Sequence, residues 1–75
     1  MRAIKTADGN CYYIINGEIS DARGSIQGFL TAIPMVKFGQ SVKICYSQKD
    51  SNGDFIRDDE GMLKTRVFTT APVVA

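Results

Sequence analysis

The stretch DGNCYYIING, Asp8 to Gly17, decides the fold. Asp8-Gly9 and Asn16-Gly17 are pairs suited to tight turns with positive backbone angles, and Asn-Gly is the strongest short hairpin signal a sequence carries. Between them CYYII, Cys11 to Ile15, reads as a strand. Its five consecutive apolar residues predict burial on both faces, because a strand half exposed to water alternates.

Two further strands follow from alternation. In Val42 to Tyr46, Val42, Ile44 and Tyr46 alternate with Lys43 and Cys45. In Leu63 to Phe68, Leu63, Thr65 and Val67 oppose Lys64, Arg66 and Phe68, and Pro72 puts the end of that run at an edge or bulge. These two strands flank one loop and predict a hairpin. The segment from Glu18 to Ile33 is ambiguous. Ile26, Phe29, Leu30 and Ile33 have helical spacing and Asp21 is a suitable cap, whereas Gly24, Gly28 and Pro34 disfavour a helix. The expected fold is all-β, a small curled sheet or barrel of five to six short strands, with one short helix within 21–33 as the alternative for that segment.

Seventy-five residues, 44% hydrophobic and 23% charged, make one small domain over 1–75, near the size at which a single core offsets chain entropy. A net charge of +1 gives no global field toward nucleic acid or anionic lipid. The absence of histidine removes imidazole catalysis and the commonest zinc ligand, and no glycine-rich phosphate loop or dinucleotide fingerprint occurs. We therefore expect no enzyme, catalytic residue, cofactor or metal. With no apolar run of signal or membrane-span length, the expected location is cytoplasmic. In that compartment Cys11 and Cys45 read as reduced small hydrophobes.

The loop QKDSNGDFIRDDEG, Gln48 to Gly61, holds five of the eight acidic residues, and Asp50, Asn52 and Asp54 alternate as calcium ligands do. A calcium loop counted from Asp50 needs glycine at the sixth place and glutamate at the twelfth, where this chain has Phe55 and Gly61. The expected structure is a hydrated hairpin tip. Phe55 and Ile56 are apolar within it, and should fold back or meet a partner.

Two surfaces are candidates for binding. Lys43, Lys64 and Arg66 would share one sheet face with Phe68 beside them, a set able to hold a phosphate by charge and a base by stacking; the alternative is a solvated face. Cys11, Tyr13 and Ile15 make an apolar stripe that, with Phe55 and Ile56, reads as an interface of a homo-oligomer.

The fragments AIKTADGNCYYI and RVFTTAPVVA resemble strands of small phage-encoded accessory proteins, those involved in host takeover or anti-defence. The resemblance implies a factor of the host cytoplasm that binds and blocks a host protein or sequesters a signalling nucleotide. The expected function is thus non-catalytic binding, with a nucleic-acid-binding barrel as the alternative.

Overall fold

The computed structural model describes residues 2–75. It is all-β, with seven strands: β1 (Arg2–Thr6), β2 (Cys11–Ile15), β3 (Glu18–Asp21), β4 (Gln27–Leu30), β5 (Lys43–Gln48), β6 (Thr65–Thr69) and β7 (Val73–Val74). They form one antiparallel sheet in the order β6-β5-β4-β3-β2-β1-β7. The two edge strands are consecutive in the chain and separated only by Thr70–Pro72, so the sheet curls into a half-barrel. Thr70 pins this corner: its Oγ1 accepts from the Val42 N–H at 3.0 Å and its own N–H donates to the Val42 carbonyl at 2.9 Å.

Cross-strand register sorts the side chains. Ile4 pairs with Tyr12, Ile14 with Ile19, Ile19 with Gly28, Leu30 with Tyr46 and Ile44 with Phe68, and paired residues share a face. That face is concave and holds the core: Ile4, Tyr12, Ile19, Ile26, Val42, Ile44, Tyr46 and Val73 are buried, with Ile14, Leu30, Val36 and Phe68 packed against them. Gly28 must be glycine, since a Cβ there would overlap the Ser47 carbonyl oxygen and Tyr46 Cδ2. The ring of Tyr46 therefore crosses the sheet over a residue that has no side chain.

Two expectations change. CYYII is buried on one face only: Tyr12 is in the core, whereas Ile15 on the convex face is 47% exposed, because among the described residues no strand packs over that face. The 21–33 segment contains no helix. Asp21 caps a turn instead, its Oδ1 accepting from the N–H groups of Ser25 at 2.8 Å and Ile26 at 3.2 Å.

The turns reuse one five-residue form, a periodicity of structure that the sequence did not announce as a repeat. In Thr6–Asn10, Asp50–Asp54 and Asp58–Met62 the fourth residue is glycine, whose N–H donates to the first carbonyl while the first N–H donates to the fifth carbonyl. Asp21–Ser25 shares the bond from its glycine. The four glycines have φ between +72° and +86°, the left-handed conformation that a type I turn with a glycine bulge requires.

Candidate functional site

The acidic loop is two of these turns in series. Asp50 Oδ1 accepts from the N–H groups of Asn52 at 2.9 Å and Asp54 at 3.1 Å; eight residues later Asp58 Oδ1 accepts from Glu60 at 2.9 Å and Met62 at 3.0 Å. The alternation of Asp50, Asn52 and Asp54 thus serves backbone capping. Between the turns, three backbone bonds close a ring: Gln48 N–H to Lys64 carbonyl at 2.9 Å, Lys64 N–H to Ile56 carbonyl at 2.8 Å, and Ile56 N–H to Gln48 carbonyl at 3.0 Å. Ile56 is half-buried at this junction. Phe55 lies under the Lys49 ammonium, 5.0 Å from the ring centre, and Lys49 Nζ also donates to Glu18 Oε1 at 2.7 Å. Both apolar loop residues are thereby tied to the junction and to β5.

The cationic set does not assemble on one face. Lys43 pairs with Thr69, whereas Arg66 pairs with Tyr46 and Phe68 with Ile44, so Lys43 lies on the convex face and Arg66 and Phe68 on the concave one. The sequence parity within β6 was right; the phase between the two strands, which fixes what faces what, was not. Lys64 has the parity of Arg66 but lies just before β6, at the junction. Phe68 is half-buried, with ring centres of Tyr12 at 5.8 Å and Tyr46 at 6.3 Å, and the Arg66 guanidinium already stands 5.5 Å over it. Burial beside the Asp8 carboxylate pushes the Tyr12 phenol above its ordinary range.

Cys11, Tyr13 and Ile15 do share the convex face. Their register neighbours are Lys5, Ala3, Ser20 and Glu18, which break the stripe into an apolar line one strand wide. Both cysteines are free thiols, and the Thr31 hydroxyl lies 2.9 Å from Cys45 Sγ.

The largest exposed apolar groups lie elsewhere, on the connection from Thr31 to Val42. Ile33 is 93% exposed, Met35 76% and Phe38 75%, while Pro34 is half-buried and Val36 packs on the core. The connection is extended, with alternate residues facing in and out until a turn at Lys37–Gln40 sends Phe38 outward as well. Its C-terminal end is held: Phe38 forms a parallel bridge to Val73, the Gly39 N–H donates to the Val73 carbonyl at 2.8 Å, and the Val73 N–H donates to the Gln40 carbonyl at 2.9 Å.

Two grooves flank this segment. One, about 380 Å³, is lined by Ile14, Phe29, Leu30, Ile33 and Pro34; the other, about 290 Å³, by Ala3, Val36, Phe38, Val73 and Val74, and Arg2 borders both. The charged residues lining them, Arg2 and Lys5, are cations. A third cleft of about 490 Å³ lies by the Glu18–Lys49 ion pair, with Ser20, Gln27 and Ile26 in its wall. Alternation could have pointed to Ile33, Met35 and the inward Val36, but Pro34 and Gly39 mask it as two turns.

No family model, curated protein or solved structure matches the chain. The likeness to phage-encoded accessory proteins therefore rests on its two fragments alone.

Proposed function

We propose that the protein is a non-catalytic binding factor that covers a protein partner with the Ile33–Phe38 segment, seating apolar side chains of the partner in the grooves beside it. The observation that carries this reading is the exposure of Ile33, Met35 and Phe38 on a segment anchored by Val36 in the core and by Val73 at its C-terminal end. Exposed apolar groups of this size on a held backbone are costly in water and favour association, and a segment already in its bound shape loses little entropy on docking. Met35 adds a side chain that adapts to irregular partner surfaces. The cations lining the grooves, Arg2 and Lys5, favour a partner whose apolar segment is flanked by acidic residues.

Support for a binding rather than a catalytic role comes from the carboxylates. Asp8, Asp21, Asp50 and Asp58 each bind turn backbone, which leaves them as structural acceptors. Blocking a host component, as phage accessory factors do, is one form this function would take. The test is capture by the immobilised wild-type chain beside a Met35→Asp, Phe38→Asp variant with unchanged circular dichroism. The reading requires a partner retained by the wild type and lost from the variant; equal retention by both removes it.

A further inference from the structure

We infer that β6 is a self-pairing edge, at which two copies of this chain join their sheets antiparallel about a two-fold axis through Val67. This interface is separate from the Ile33–Phe38 segment and independent of the function proposed for it. β6 is the long free edge of the sheet, β7 at the other edge having only two residues. Lys64 and Thr70 direct backbone groups to β5, through Gln48 N–H to Lys64 carbonyl and Thr70 N–H to Val42 carbonyl. Alternation then turns the N–H and C=O groups of Thr65, Val67 and Thr69 away from β5. Among the described residues no backbone partner meets them. Four of the five residues of β6 are exposed and none is proline, and its one charge, Arg66, is on the concave face, where its guanidinium lies over Phe68.

The strand is self-complementary in one register. With Val67 opposite its own copy, Thr65 faces Thr69 of the second chain in both directions, so all three outward residues exchange backbone bonds. Arg66 then stands opposite Phe68 of the second chain, on the face where it already covers its own Phe68 at 5.5 Å. Shifting the axis to Arg66 opposes two guanidinium groups. Shifting it to Phe68 leaves three residues paired within β6 and runs the ladder toward Pro72, which cannot donate. The favoured register uses the whole strand and opposes no like charges. Its area is small, so the dimer should be weak, with a Kd on the order of 10–100 µM.

The register is tested by charge at the axis. Val67→Lys and Val67→Glu each place two like charges directly opposite one another in the dimer while changing an exposed position of the monomer. In sedimentation velocity from about 10 µM to about 0.5 mM, wild type should dimerise, each variant alone should associate at least about tenfold more weakly, and an equimolar mixture should recover dimer. In parallel, exchange of the wild-type Val67 amide should slow as concentration rises, a readout that needs no variant to fold. A wild type monomeric throughout the range, variants that dimerise like wild type, a mixture that does not recover, or a Val67 amide indifferent to concentration overturns the inference.

Discussion

Phe38 is bridged in parallel to Val73, yet its ring remains three-quarters exposed. The backbone bonds of Val73 to Gly39 and Gln40, directly after Phe38, hold the chain there while leaving the side chain in water. A side chain with that combination contributes little to the fold and is ready to contribute to an interface. This division of labour makes the proposed function separable from stability.

Ser substitutions of the segment should divide accordingly. Met35→Ser and Phe38→Ser should shift unfolding free energy by no more than about 0.5 kcal/mol, as exposed positions do. Val36→Ser removes a core contact and half-buries a hydroxyl, and should cost about 1–3 kcal/mol. Urea titration of the three proteins measures the difference. Comparable losses at all three positions would mean that the segment is ordinary structure.

Gly28→Ala should destabilise strongly, by about 2–4 kcal/mol, because its Cβ meets the backbone oxygen of Ser47 and the Tyr46 ring, and backbone within a ladder cannot step aside. Replacing Tyr46 by Leu in the Gly28→Ala background should recover part of the ring's share of that loss. Denaturant midpoints decide; a Gly28→Ala protein as stable as wild type contradicts the packing described.

Acid should loosen the Asp21–Ser25 turn. Burial pushes the Asp21 carboxyl up, but the Ser25 hydroxyl and the N–H groups of Ile26, Ser25 and Gly24 together outweigh it and hold the group below its ordinary range. A depressed folded-state value means stability that is fully present above the unfolded carboxylate range and lost as pH falls through the folded value, below about pH 4. Asp8, held low by the Thr6 hydroxyl, acts in the same sense. Thermal melts from pH 6 to 2.5 should show a steeper acid loss for wild type than for Asp21→Asn. Parallel profiles would remove Asp21 from the account.

Much of the sheet was legible because its strands announce themselves locally. Asn16, with φ of 51°, and Gly17, with φ of 81°, form the hairpin turn that the Asn-Gly pair predicts, and β2 occupies Cys11–Ile15 as read. The alternating runs became β5 and β6, paired as a hairpin around the acidic loop. What failed depended on relations between strands. Parity within β6 put Arg66 with Phe68 correctly, but the phase that pairs Lys43 with Thr69 is set by the double turn and the Gln48–Ile56–Lys64 junction, which no local pattern encodes. The convex face at Tyr13 and Ile15 is likewise apolar in sequence yet framed by Ser20 and Glu18 in space. The Ile33–Phe38 segment went unread because Pro34 and Gly39 interrupt its alternation, and its anchoring through Val73 joins residues far apart in the chain.

The most direct test of the proposed function is site-specific photocrosslinking in cells expressing the chain. A photoreactive phenylalanine analogue at position 38 should give one discrete protein adduct, and the same analogue at position 54, on the exposed Asp50–Asp54 turn, should give none. Loss of the position-38 adduct on adding Met35→Asp would tie it to the segment. No adduct at 38, or the same adducts at 38 and 54, would contradict the claim that this segment is the binding surface.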